Sequence, residues 1–148
     1  MSAVVREEAP FRWTGVPLLA YKADGGTHSN GVTRQVLVGE SAGLGTELRY
    51  FEVEPGGYSS LEQHAHVHAV MIVCGRGACL VGDTIAAISA HDLVSVPPDT
   101  WHQFRAAADE PLGFLCLVRC DRDRPRRPGP QDLEAIRTNH AVAEFIRV

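Results

Sequence analysis

The chain has 148 residues, 45% of them hydrophobic and 22% charged, with a formal net charge of −4 at pH 7. That is the composition of one ordinary domain able to bury its own core, and it argues against disorder. The acidic balance provides no basic field for nucleic acid, and no apolar run approaches the roughly 18 residues of a membrane helix, so neither is an expected partner. The N-terminal stretch from Met1 to Glu8 has acidic residues where a secretory signal needs an apolar segment. Four cysteines without a paired framework read as reduced thiols, and the expected location is cytoplasmic.

In chain order, residues 1–30 read as an N-terminal arm. Pro10, Pro17, the turn Asp24-Gly25-Gly26 and the run Ser29-Asn30-Gly31 are loop signals. Residues 31–119 read as a barrel of short strands. Thr33–Val38, Glu47–Val53, Ala69–Cys74, Ala78–Val81, Thr84–Ile88, Leu93–Val96, His102–Ala106 and Leu112–Val118 are rich in β-branched and aromatic residues. Turn residues separate them, among them Glu54-Pro55-Gly56-Gly57 and Gly75-Arg76-Gly77. Many short strands at regular spacing indicate an all-β sandwich or barrel. Residues 120–148 read as an Arg/Pro-rich linker and a C-terminal helix. The stretch from Arg119 to Pro130 holds five arginines, two aspartates and three prolines, which no central strand tolerates, and its interleaved charges read as a solvated tail. A helix starts near Pro130, with Leu133 and Ile136 at helical spacing, and is expected to stop at Asn139 before a second short turn or helix at Ala141–Ile146.

Seven histidines are present, and three of them fall within five residues at His64, His66 and His68. On a strand these three share a face, because side chains alternate. Unpaired imidazoles on an interior face cost roughly 1–3 kcal/mol each, and a metal ion removes that cost by taking a lone pair from each ring. Glu62 shares the face and adds a possible oxygen ligand. Residues four apart on a straight strand are about 13 Å apart, so His64 and His68 can meet on one ion only if the chain bends near Val67. Two sets therefore remain open at this point. In one, His64, His66 and His68 bind together; in the other, Glu62 joins His64 and His68. The other candidate lies at His102, after the turn Pro97-Pro98-Asp99-Thr100. His28, His91 and His140 read as incidental, and the cysteines as small buried hydrophobes rather than redox pairs. Trp101, of opposite parity to His102, is expected outside the cavity, with a subunit interface as one possible setting.

The block Glu54-Pro55-Gly56-Gly57, His64-Ala65-His66, Gly75-Arg76-Gly77 resembles the first motif of the cupin superfamily. The block from Asp92 to Phe104 resembles the second. The resemblance covers about Glu47 to Val118 and implies a single antiparallel, jelly-roll-like β-barrel holding one metal ion. In most cupins two histidines and a glutamate come from the first motif and one histidine from the second. Here no glutamate follows at the usual place, and His68 stands there, which is similar to small bacterial cupins with four histidines. His91 and Asp99 stand where the motifs have glycine. The set His64, His66, His68 and His102 is thus expected to hold one divalent transition metal, with Fe, Cu, Mn, Ni and Zn all compatible with imidazole.

The resemblance implies an oxygenase-type enzyme, with a small organic substrate in the barrel. The alternatives are a metal-dependent isomerase or lyase, using Glu62, Glu52 or Tyr50 for proton transfer, and a non-catalytic cupin that holds a small ligand or metal. Phe51, Phe104, Phe114 and either Met71 or Ile72 are the candidate pocket walls. The resemblance also implies a homodimer.

Overall fold

The computed structural model describes residues 3–21 and 26–148, so Asp24 and Gly25 of the expected turn lie outside the described residues. The arm forms a small hairpin, β1 (Glu7–Ala9) with β2 (Arg12–Trp13), and then the short strand β3 (Leu19–Ala20). The barrel follows with β4 (Asn30–Val38), β5 (Thr46–Tyr58), β6 (His68–Val81), β7 (Thr84–Ser89), β8 (Leu93–Val96), β9 (His102–Ala106) and β10 (Leu112–Arg119). All pairings are antiparallel. β10 pairs with both β5 and β6, and β9 also reaches both, so the ring β5–β10–β6–β9 closes on itself. The structure is the expected all-β barrel with helical C-terminal elements.

Alternation explains which side chains fill it. Phe51 and Val53 of β5, Val70 and Ile72 of β6, Val94 and Val96 of β8, Phe104 of β9, and Leu112, Phe114, Cys116 and Val118 of β10 form one buried cluster. Phe114 stacks between Phe51 and Phe104, with centroids 5.4 and 4.7 Å away, and these three rings make an apolar floor.

Two expected turns are absorbed into strands. Glu54-Pro55-Gly56-Gly57 bulges out of β5: Val32 pairs with Val53 and Asn30 already with Tyr58. Gly75-Arg76-Gly77 does not end a strand but lies within the 14 residues of β6. The glycines are there for close approach, since a Cβ at Gly75 would collide with the Pro111 carbonyl and one at Gly77 with the Arg105 carbonyl. The two positions where the cupin motifs have glycine carry its conformation here: His91 has φ 78° and Asp99 φ 53°.

The C-terminal helices α1 (Pro130–Ile136) and α2 (His140–Phe145) cover the outside of the barrel. Val142, Phe145 and Ile146 pack with Leu61 and Leu80, and Trp101 joins this second cluster rather than a free surface. Asn139 stands at the start of α2, where its side chain accepts the Val142 N–H at 3.3 Å. The segment 119–130 is not a solvated tail. It lies as a strap against the histidine segment, with Gln63 and Arg126 exchanging both backbone hydrogen bonds and the Arg126 guanidinium stacked on Trp101 at 4.7 Å.

Candidate functional site

The histidine segment is built by pairing followed by a bend. Glu62 and His102 exchange backbone hydrogen bonds of 3.1 and 3.0 Å, which sets the end of the segment beside the start of β9. The chain then bends at Ala65 and His66 and becomes extended again at His68. Ala65 and Val67 point outward, while His64, His66 and His68 are buried. The bend brings together residues that a straight strand would hold apart. The Asp99 turn supports it, its N–H donating to the His64 carbonyl at 2.7 Å.

The four rings form one cluster. His64 stacks on His66 with centroids 3.7 Å apart, His68 lies 4.3 Å from His64, and His102 lies 4.7 Å from His64. His64, His68 and His102 each offer a ligand nitrogen within 4.8 Å of the others. The Nε2 atoms of His66 and His68 are 3.2 Å apart. Two ligand atoms about 2.1 Å from one ion and at right angles to each other lie about 3 Å apart, so this spacing suits a shared ion. Three rings have Nδ1 against an acceptor: the His66 carbonyl at 2.7 Å for His64, the Thr100 carbonyl at 2.9 Å for His102, and the Asp123 carboxylate at 2.7 Å for His66. Each such bond places the proton on Nδ1 and turns the Nε2 lone pair inward. The Nε2 of His64 is buried without a hydrogen-bond partner. An orphaned, buried lone pair among converging imidazoles fits a divalent ion, and the residues present therefore suit the metal that the fold implies.

Electrostatics agree with neutral, donating rings. Burial, with neighbouring imidazoles adding to it, lowers His64 to about 4 and His68 to about 2. Asp123 takes the N–H groups of Ala65 at 2.8 Å and His66 at 3.0 Å as well as the His66 ring, and these bonds hold its carboxyl well below the usual range.

Beside the cluster lies a cavity of about 170 Å³, lined by His66, His68 and His102, the Phe51–Phe104–Phe114 floor, and several polar groups. Arg34 and Arg49 line it, and the Nε of each is buried without a partner. Arg49 is 93% buried and donates through Nη2 to Cys116 Sγ at 3.3 Å. Burial pushes the Cys116 thiol up, and the Arg49 charge opposes that shift. Glu62 faces the cavity with the Tyr21 hydroxyl at 3.4 Å. Burial and the Glu62 charge raise the Tyr21 hydroxyl. Arg122 and Pro125 of the strap complete the lining, with Arg122 paired to Glu47 at 2.8 Å.

The four rings lie together, but the three whose ligand atoms all converge are His64, His68 and His102, with His66 stacked on His64 beside them; Glu62, Phe51 and Phe104 stand around the cavity. Met71 does not belong there: it shares parity with Ala69, stands on the outer face and is 40% exposed, while Ile72 points into the core. Tyr50 and Glu52 likewise lie on the outer face of β5, because Arg49, Phe51 and Val53 occupy the inner phase. Sequence reasoning passed over Arg49, read Cys116 as a small buried hydrophobe and took Asp123 for part of a solvated segment. The first two were legible as polar residues in the phase of Phe51 and of Phe114. Asp123 had no local signal. All four cysteines are free thiols.

Comparison with known proteins agrees with this picture. Residues 49–118 match the sequence pattern of the Cupin domain family. The chain is 52% identical over 139 residues to a 1-methylthio-D-xylulose 5-phosphate methylsulfurylase of Rhodospirillum rubrum, covering 94% of this chain and 88% of that one. A cupin 2 conserved barrel domain protein from Rhodopseudomonas palustris superposes with a TM-score of 0.93 at 49% identity, over 99% of this chain and all of its own. A cupin-2 domain from Rhodospirillum rubrum gives a TM-score of 0.86 at 53% identity, over 91% of this chain and 90% of that one.

Proposed function

The chain belongs to the cupin superfamily, and from that premise we propose that it is a metal-dependent enzyme that cleaves the carbon–sulfur bond of a small methylthio ketose phosphate. The observation that carries this reading is the cavity itself. It joins a histidine cluster to two arginines with buried, unpartnered Nε donors, Arg49 itself buried and Arg34 half-buried, and to a thiol. The relative's name describes a substrate with matching parts: a phosphate, a ketone and a methylthio group on the neighbouring carbon.

Arg49 and Arg34 supply the charge and the fork of donors that a phosphate accepts. An ion on the Nε2 atoms of His64, His66, His68 and His102 would supply a Lewis acid for the carbonyl oxygen. The apolar floor excludes water and leaves room for the carbon chain. Cys116 is the group in the cavity able to take the methylthio sulfur. Burial holds Cys116 as a thiol, so its proton passes to Glu62 as the sulfur, steadied by the Arg49 Nη2 donor, attacks the methylthio sulfur and forms a Cys116–S–S–CH3 disulfide. The carbon–sulfur bond breaks with its electron pair passing to the carbon beside the ketone, as an enolate. Protonation there gives a 1-deoxy ketose phosphate, and Glu62 with Tyr21 is the acid pair facing the cavity. A second, low-molecular-weight thiol releases the methylthio group as a mixed disulfide and restores Cys116.

The oxygenase alternative draws on the all-imidazole donor set alone, since the relative's name involves no dioxygen. Incubating the metal-loaded protein with a 1-methylthio ketose 5-phosphate decides between them. One methylthio group on Cys116 by mass spectrometry, and turnover only when a thiol is added, support the reading. Oxygen uptake without any Cys116 adduct would falsify it. Cys116→Ser is expected to keep its metal and lose turnover.

A further inference from the structure

Asp123 stands apart from the barrel strands. It belongs to the strap 119–130, yet its carboxylate reaches 57 and 58 residues back along the chain to three groups: the N–H of Ala65, the N–H of His66, and Nδ1 of the His66 ring. The first two hold the bend of the histidine segment. The third fixes the tautomer of His66 and aims its Nε2 at the Nε2 of His68. Without that acceptor the ring can turn about its side-chain bonds or carry its proton on the other nitrogen, and either change removes the inward lone pair.

The same strap segment also reaches the cavity. Arg122, adjacent to Asp123, lines it, and so does Pro125. Arg126 then pairs with the Gln63 backbone. One short segment therefore touches a histidine ring with Asp123 and walls the substrate space with Arg122 and Pro125 on either side of it.

We propose that Asp123 is a positioning residue for the histidine centre, and that through it metal binding and the docking of strap 119–130 are coupled. The coupling runs both ways, as linkage requires: an ion that fixes His66 strengthens the Asp123 contact, and a docked strap strengthens the ion's hold. A filled metal site and a closed cavity then come together, and a metal-free protein holds its strap more loosely. The proposal rests on His66, which lies 3.2 Å from His68 Nε2, joining the converging His64, His68 and His102 as a further ligand, and does not depend on which bond the enzyme breaks.

The test uses the full chain and cobalt(II), whose visible absorption reports the number and arrangement of its ligands. Affinity is measured by chelator competition, and strap docking by amide hydrogen exchange across residues 119–130. Asp123→Asn is expected to bind cobalt about 10- to 100-fold more weakly, with an altered spectrum, as for other partners behind metal-bound histidines. In the natural sequence cobalt is expected to slow exchange in the strap; in D123N it is expected to have little effect there. Arg126→Ala loosens the strap without touching His66 and is expected to weaken cobalt binding as well. Unchanged affinity and spectrum in D123N, in a protein where His66→Ala does lose cobalt affinity, overturn the positioning role. If His66→Ala keeps full affinity, the premise that His66 is a ligand fails instead. Should D123N not fold, the exchange of the natural sequence with and without cobalt decides: identical strap exchange in the two states overturns the coupling.

Discussion

The wall of the barrel at β5 is one backbone thick, and its two faces have opposite habits. On the outer face Tyr50 is buried under the N-terminal arm, its ring stacked on Phe11 at 5.1 Å and its hydroxyl donating to Glu52 at 3.1 Å. The Gln35 amide donates to the Phe11 carbonyl, and Arg12 pairs with Glu52. One residue away, on the inner face, Arg49 keeps a buried Nε without a partner, and in the histidine cluster His64 Nε2 is equally unpartnered. Buried polar groups in a folded protein are nearly all paired, so the orphaned nitrogens of Arg34, Arg49 and His64 at the cavity and its histidine cluster mark where something else is meant to bind. The outer face fastens the arm through its hydrogen bonds and leaves Gln35 Oε1 unpaired; the inner face is open chemistry awaiting a ligand. Two cysteines show the same contrast. Cys74 meets the Tyr50 hydroxyl at 3.5 Å under the arm, and Cys116 meets a guanidinium in the cavity.

The contrast can be broken most severely at the cluster. His102→Ala removes a ring from the site and is expected to weaken metal binding by more than about 100-fold, since even groups behind the ligands contribute 10- to 100-fold. Elemental analysis of the purified variant checks it, and full metal content would mean that the inner orphans are not ligands. Arg49→Gln comes next. It is expected to weaken a phosphorylated ligand about 10- to 100-fold, the size of a charge-assisted hydrogen bond of roughly 1.5–3 kcal/mol. Equal losses for phosphorylated and unphosphorylated compounds, measured by titration calorimetry, would remove the anion role.

Acid sharpens the same comparison. The folded His64 and His68 hold their protons only at about 4 and about 2, against an unfolded value near 6.5. Below about pH 6.5 the unfolded chain therefore binds more protons than the folded one. The metal-free protein is expected to keep its stability above that pH and to lose it progressively as pH falls through about 4, for His64, toward about 2, for His68. A melting temperature that stays flat across this window contradicts the assignment of buried neutral rings. The smallest effect belongs to the outer face. Tyr50→Phe deletes one satisfied hydroxyl and is expected to cost about 1 kcal/mol, a few degrees in melting temperature, with metal affinity untouched. A loss of metal in this variant would show that the two faces are not independent.

Much of the architecture was legible from pattern. Composition offered Phe51, Phe104 and Phe114 as candidate walls, the folded register turned them inward, and the clustering of three histidines located the site. The need for a bend between His64 and His68 followed from the rise per residue alone. What pattern could not give was contact across long separations. Asp123 sits in a stretch whose charges look like those of any solvated segment, and only the folded strap brings it to the His66 ring. The glycines of β6 misled for a related reason. Gly75 and Gly77 read locally as a turn, whereas their purpose is to admit the carbonyls of Pro111 and Arg105 from other strands. Met71 erred by one residue of register, enough on a strand to move a side chain from one face to the other.

The sequence separation of the site's parts also orders events during synthesis. Three imidazoles leave the ribosome together, yet the ring that completes the cluster is residue 102 and the carboxylate that fixes His66 is residue 123. At a synthesis rate of roughly 5–20 residues per second, several seconds pass between the first ligands and their last anchor. Through that interval the nascent chain displays a short run of histidines with no barrel around it. Whichever ion it meets then is bound by flexible peptide, whereas selection by a shaped site begins only when β10 has closed the ring and the strap has come down.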